Sequence, residues 1–248
     1  MKDVHRFKIQ GKDDRTFWIA GEELHHLVKV LRLRPGDKII GFDNSGTECL
    51  GEIESISDKA VICRIIAEDC PQVEAKTKVY LVMGLAKGEK MEWVIQKGTE
   101  LGMAGFVPLR TRRSVVQLDR EKAENRVQRW QRIASEAVKQ ARRVVEPKVF
   151  QVADWEELTA IFPADMQWLL PYEEEKNTSF SNTLRKFDPN YPIGILIGPE
   201  GGFTPEEVAN AKKILKAHSV SLGPRILRTE TAALAALVMV LAFFGDIG

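Results

Sequence analysis

The chain is predicted to be an α/β protein preceded by a small β-barrel domain, and three observations predict it. Three short β-rich runs separated by turn residues lie within the first seventy positions, and strand-like runs then alternate with helical ones. The third is size: 248 residues with 44% hydrophobic content suffice for one large domain or two unequal ones.

Taken in order, Leu24, Leu27, Val28 and Leu31 recur at helical spacing, and the same turns place His25, Lys29 and Arg32 on another, cationic face beside Arg34. "GDKIIGF", "TECLGEIESI" and "KAVICRII" are the three β runs, broken at Asp43-Asn44-Ser45-Gly46 and Ser57-Asp58-Lys59. The pattern changes at Asp69-Cys70-Pro71-Gln72-Val73-Glu74, which predicts domains over 1–70 and 71–248.

Beyond that point "KVYLVMGLA" reads as a strand, Glu89–Leu101 as a helix ended by Gly102, and "GFVPL" as a second strand. Arg120–Arg143 is a long helix whose Ala123, Val127, Trp130, Ala134, Ala137 and Ala141 form one apolar stripe. There follow the strand "KVFQV", a short helix over Trp155–Phe162, and the strands "QWLLPY" and "PIGILIG". Such alternation predicts a parallel sheet of βαβ units covered on both faces.

"ILIGPEGGFTPEEV" breaks an apolar run with Gly198, Gly201 and Gly202, which allow positive φ or close backbone approach. Thr204-Pro205-Glu206-Glu207 is a capping box with proline at the first helical position. The glycines therefore sit at the carboxyl end of a strand, where open α/β sheets bind ligands, although a plain tight turn has the same composition. A P-loop is excluded because no Gly-Lys-Ser/Thr follows, and G-x-x-G-G is not dinucleotide spacing. Glu200 inside the loop would repel a phosphate.

A second loop, "SLGPRILRTETA", passes through Leu222-Gly223-Pro224, Arg225 and Arg228 into a helix beginning at Thr229, Glu230 and Thr231. No charge follows Glu230 until after Gly245, so the helix should be buried on every side, inside the domain or against a second subunit. A dimer interface is the expected use.

The net charge of +1 is unevenly spread: Arg110 to Lys148 carries twelve Lys or Arg against five Asp or Glu. That excess is either a solvated helix face or a phosphate-binding surface, and its arginine content favours the latter. The start of the chain lacks the apolar run of a signal peptide, and Thr231 to Gly245 is shorter than the roughly 20 residues a spanning helix needs. Cys49, Cys63 and Cys70, with no C-x-x-C pair, suit a reducing cytoplasm and are expected to be buried or half-buried thiols. No metal site is expected.

The two loops together resemble the C-terminal motifs of SPOUT-class S-adenosylmethionine-dependent RNA methyltransferases, specifically the RsmE family, which methylates uridine N3 in 16S ribosomal RNA. Arg6-Phe7, "HHLVKVLRLRPGD", "LAKGEKMEWVIQKGTELG", "PLRTRRSVV" and "EAVKQARR" agree with that family in order. One departure is Ala141, where the family usually carries serine.

The resemblance implies a PUA-like N-terminal barrel, a C-terminal trefoil knot, and S-adenosyl-L-methionine bound in the knot of a homodimer. Carried over by position, Leu196, Ile197, Gly198, Pro199, Gly201 and Gly202 form one wall and Leu222, Gly223, Ile226, Leu227 and Arg228 another, with Leu170 and Pro171 nearby.

Methylation of N3 requires loss of a proton, for which Arg228 and Glu230 are the candidates, with Arg6 reaching in. Glu230 is equally explained as a helix-start residue favoured by the macrodipole. Contacts to the 16S RNA of the 30S subunit are expected from Arg6, His25, Lys29, Arg32, Arg34, Lys87, Lys97, Arg110, Arg112, Arg113, Arg142 and Arg143. Two rivals stay open, a SPOUT ribose 2′-O-methyltransferase and a non-catalytic ribosome-assembly factor.

Overall fold

The structure is a computed structural model that describes residues 4–116 and 118–248. It divides into two compact units, residues 1–74 with 138–146, and 75–137 with 147–248.

The first unit is built on a six-stranded sheet ordered β1-β4-β5-β6-β3-β2. The expected runs form β4 (Lys38–Phe42), β5 (Glu48–Ile56) and β6 (Val61–Asp69), joined antiparallel in sequence. Three strands that hairpin signals do not reveal precede them: β1 (Arg6–Lys8), β2 (Gly11–Lys12) and β3 (Thr16–Ile19). They are at most four residues long, and β1 pairs in parallel with the distant β4, so no adjacent turn marks it. Phe7, Phe17, Ile19, Leu27, Ile39, Ile53 and Val61 fill the core beneath the sheet.

The Leu24–Leu31 segment is helical but wider than expected. One α-turn, α1 (Glu22–His25), runs into a π-helical turn over His26–Val30. Its apolar side still faces the core, with Leu27 buried and Leu24, Val28 and Leu31 packed against it. His25, Lys29, Arg32 and Arg34 remain exposed.

The second unit holds a fully parallel sheet ordered β12-β10-β11-β7-β8-β9. In chain order its elements are β7 (Val79–Gly84), α2 (Lys90–Leu101), β8 (Gly105–Leu109), α3 (Arg120–Gln140), β9 (Lys148–Val149) and α4 (Leu158–Ile161). Then come β10 (Gln167–Pro171), α5 (Phe180–Leu184), β11 (Ile193–Ile197), α6 (Pro205–Ile214), β12 (His218–Val220) and α7 (Thr229–Phe243).

Both faces are covered. Leu81, Met83, Ile195 and Ile197 pack to one side with Ala236 and Leu237 of α7, while Val82, Leu170, Leu196 and Phe203 pack to the other with Val208 of α6. Strands buried on two faces read as continuous apolar runs, which is why β7, β10 and β11 were legible.

Two elements differ from expectation. Helix α3 stops at Gln140, short of Arg143, because the chain turns through a left-handed Arg142 (φ 57°) and Glu74 Oε1 takes up the amides of Val144 and Val145, both at 3.0 Å. "KVFQV" contributes only Lys148–Val149 to the sheet. Helix α7 is buried along Ala233, Ala236, Leu237, Val240 and Leu241 and leaves Met239 and Phe243 exposed at 36% and 40% within the single chain. Cys49 and Cys63 are buried as expected, whereas Cys70 is exposed. Among the described residues no helix is long and apolar enough to cross a membrane.

Candidate functional site

Because β10, β11 and β12 are parallel neighbours, the loops leaving their carboxyl ends emerge on one edge, and they enclose a cavity of about 480 Å³. The loop after β10 contributes Pro171, Tyr172 and Glu173, and the one after β11 contributes Gly198 through Phe203. Most of 221–230, with Ala232 behind, closes the third side, and Lys90 at the start of α2 reaches the wall.

The β11 loop is built to close tolerances. A Cβ on Gly198 would lie 3.0 Å from the Gly202 Cα, so only glycine lets the two backbone strands of the loop approach. Gly202 holds φ +66°, and a Cβ there would also meet the Glu173 carboxylate at 2.5 Å. The loop is tied at both ends. Arg113 donates to the Gly201 carbonyl at 2.9 Å, and Thr229 Oγ1 donates to the Gly198 carbonyl at 2.5 Å, which joins the loop to the first turn of α7.

Glutamates do much of the remaining tethering. The capping box forms as the sequence predicts: Glu207 N donates to Thr204 Oγ1 at 3.2 Å and Thr204 N donates to Glu207 Oε2 at 2.9 Å. The buried Glu207 also accepts from the Arg112 amide at 2.9 Å, which fixes the 110–113 loop beside it. Glu175 accepts from Ser219 Oγ and from the amides of Asn177 and Thr178, holding the turn that carries Tyr172 and Glu173. These bonds, led by Ser219, pull its carboxyl down to about 2.

Glu200 accepts from the Lys87 amide at 2.9 Å and from Lys90 Nζ at 2.7 Å. Burial pushes its carboxyl up, but the bond from Lys90 and those from backbone amides outweigh this and hold it below its ordinary value. Glu230 lines the cavity, and its Oε2 is buried with no hydrogen-bond partner among the described residues.

Of the residues expected to hold a cofactor, Pro171, Ile197, Gly198, Pro199, Gly201, Gly202, Leu222, Gly223, Ile226, Leu227 and Arg228 line this cavity. Leu170 and Leu196 do not. Strand alternation turns their side chains into the core on the opposite face of the sheet. Lys90, Tyr172, Glu173, Phe203, Ser221 and Thr229 line it without having been anticipated. They sit in loops and at helix starts, where no periodicity marks a residue.

The residues expected to meet RNA divide into open and engaged groups. His25, Lys29, Arg32, Arg34 and Lys87 are exposed, and Arg142, also exposed, belongs with the engaged group. Lys97 pairs with Glu100 at 2.9 Å, Arg110 with Asp154 at 3.3 Å, and Arg112 reaches Glu206 at 4.0 Å, the last two bordering a second hollow.

Arg143 is otherwise placed than expected. It is buried, and its Nε and second terminal nitrogen both donate to Glu74 Oε2, at 3.0 and 2.7 Å, so the forked guanidinium serves a carboxylate of its own chain. Arg6 is likewise enclosed, paired with Glu48 at 2.6 Å, donating to the Arg143 carbonyl and stacked over Phe42. Its surroundings give it a structural task in the first unit.

Comparison with known proteins agrees with this architecture. Residues 73–241 match the model of an RNA methyltransferase domain, and residues 19–66 that of an RNA methyltransferase PUA domain. The ribosomal RNA small subunit methyltransferase E of Bacillus subtilis is 40% identical over 236 residues, 93% of this chain and 91% of that protein. The protein of the same name from Buchnera aphidicola is 31% identical over 99% of this chain and 96% of its own length. A crystal structure of the Neisseria gonorrhoeae ribosomal RNA small subunit methyltransferase E bound to S-adenosyl methionine superposes with a TM-score of 0.85 at 30% identity, covering 98% of this chain and 99% of that one. Two domain models in the expected order, near-complete alignments and a matching α/β fold agree: the chain belongs to the ribosomal RNA small subunit methyltransferase E family.

Proposed function

We propose that the chain transfers a methyl group from S-adenosylmethionine to N3 of one uridine in 16S ribosomal RNA of the 30S subunit, acting in the cytoplasm as a homodimer. The observation that carries this reading is the cavity where the two glycine-containing loops meet. Its volume of about 480 Å³ suits a nucleoside-sized cofactor. Apolar Ile197, Leu222, Ile226 and Leu227 suit an adenine, and the unpartnered Glu230 Oε2 suits a cation or an acidic proton. A relative's structure with the cofactor bound adds support.

When bound, the cofactor supplies an electrophilic methyl carbon on a sulfonium. The chain's own residues do the rest. The rigid backbone of 198–202 positions the donor, which is how proximity lowers the barrier. Glu230 accepts the N3 proton through the oxygen that lacks a partner, and Arg228 steadies the negative charge that develops on the uracil. The target edge is hidden by pairing, so the uridine must be unpaired or flipped.

Arg225, on the cavity rim, joins the exposed cations of the first unit as a phosphate contact. The segments after β11 and β12 together with α7 form the proposed trefoil knot. Val238, Met239, Ala242 and Phe243, one apolar stripe left uncovered on α7, form the proposed dimer contact. Replacing Met239 and Phe243 by glutamate should yield a monomer by sedimentation, and an unchanged mass would remove this stripe as the interface.

The deciding experiment offers methyl-labelled S-adenosylmethionine with either free 16S RNA or 30S subunits lacking the modification, and maps the label by mass spectrometry. Label on uracil N3 is expected; label on a ribose, or none, overturns the reading.

A further inference from the structure

Six charged side chains line the cavity: Lys90, Arg225 and Arg228 against Glu173, Glu200 and Glu230. They do not weigh equally. Arg225, Arg228 and Glu173 are exposed, where solvent and salt screen them, whereas Glu230 is half-buried and the paired side chains of Lys90 and Glu200 are each only 30% exposed. The enclosed set is one cation against two carboxylates.

Lys90 is also the first residue of a 12-residue helix, α2. A cation there adds to the positive end of the helix dipole, an arrangement that is unfavourable unless an anion offsets it. Glu200 is that anion. Its Oε1 lies 2.7 Å from Lys90 Nζ and 2.9 Å from the Lys87 amide, and both side chains of the ion pair are 30% exposed.

We infer that Glu200 sets the charge balance of the cavity: by cancelling Lys90 and the α2 dipole it lets the cavity hold a sulfonium, and it makes the site prefer the cationic methyl donor over the neutral thioether left after transfer. This rests on the methyl-transfer reading above. In that transfer the C–S electron pair stays on sulfur, the N3 electron pair forms the new C–N bond, and the N3 proton goes to Glu230. The positive charge thus leaves sulfur and neutralises the Glu230 carboxylate, so the spent ligand is neutral and the attraction that Glu200 exerts on a sulfonium is lost. Glu200 on this account is a specificity-determining residue that speeds exchange of product for donor without touching the target base.

The test is calorimetric binding of S-adenosylmethionine and S-adenosylhomocysteine to the full chain. Glu200→Gln keeps an acceptor for the Lys87 amide but removes the charge. It should weaken S-adenosylmethionine about 5- to 10-fold and leave S-adenosylhomocysteine within about twofold, as expected of one charge acting across a partly shielded site. Glu200→Asp should preserve the wild-type ratio, and adding Lys90→Met to Glu200→Gln should restore it. Equal weakening of both ligands would make Glu200 a structural clamp and overturn the inference, as would an unchanged ratio in Glu200→Gln. If the wild-type chain binds neither ligand, it is the methyl-donor reading itself that fails.

Discussion

The two loops that face each other across the cavity are made differently. The one after β11 is held at nearly every residue. Gly198 packs against Gly202, Glu200 is bonded to Lys87 and Lys90, Arg113 grips Gly201, and Thr204 begins a capped helix. The one after β12 has little internal restraint beyond a bond from the Gly223 amide to Ser221 Oγ. Arg225 and Arg228 make no ion pair among the described residues, and Ile226 is 82% exposed. One wall is preorganised and the other waits for ligand or partner, so binding energy is needed to order only one side.

The sharpest test lies where the walls meet, at the start of α7. Glu230→Gln should lower methyl transfer about 10²- to 10⁴-fold, the usual worth of a positioned base, with donor affinity unchanged. Near-normal turnover at saturating donor would leave Glu230 a helix-start residue. The rigid wall should be intolerant: Gly198→Ala forces a contact of 3.0 Å, and overpacking costs about 1–3 kcal/mol, so donor affinity should fall about tenfold or more by calorimetry. An unaffected dissociation constant would show that this wall gives way as readily as its partner.

The open wall should behave in the opposite manner. Arg225→Ala should leave donor binding intact while reducing the slope of log K against log salt for ribosomal RNA by about 1. A change in donor affinity with an unchanged slope would move Arg225 from the RNA side to the cofactor side.

The smallest effect concerns pH. Glu175 titrates near 2 when folded against 4.5 ordinarily, so its restraint on the β10 turn is complete above about 4.5 and is lost as pH falls toward about 2. The amide resonances of Asn177 and Thr178 should follow that low midpoint. A midpoint near 4.5 would mean the turn is not held by this carboxylate.

Much of this was written in the sequence because the relevant signals are local. The capping box at Thr204–Glu207, the apolar strands and the end of α2 at Gly102, with φ 106°, each depend on a handful of adjacent residues. What escaped is non-local. Strand β1 pairs with a strand more than thirty positions away, Arg143 is taken by Glu74, and Arg6 by Glu48. A charge count sees twelve cations between Arg110 and Lys148 but not which of them carboxylates of the same chain already hold. Most residues that the resemblance implies for the cofactor line the cavity, whereas the side chains of Leu170 and Leu196 pack on the other face of the sheet. Glu200, singled out as a residue that would repel phosphate, proves to be bonded to a lysine and an amide.

The hydrogen bond from Thr229 to the Gly198 carbonyl also has a bearing on biosynthesis. A ribosome delivers residues 198–203 before residues 221–230, so a nascent chain stopped before Ser221 lacks the third side of its pocket. Competence to bind the donor is thus acquired only once the first turn of α7 has emerged and fastened to the earlier loop. Shortened translation products would then be silent and would not compete with finished molecules for donor.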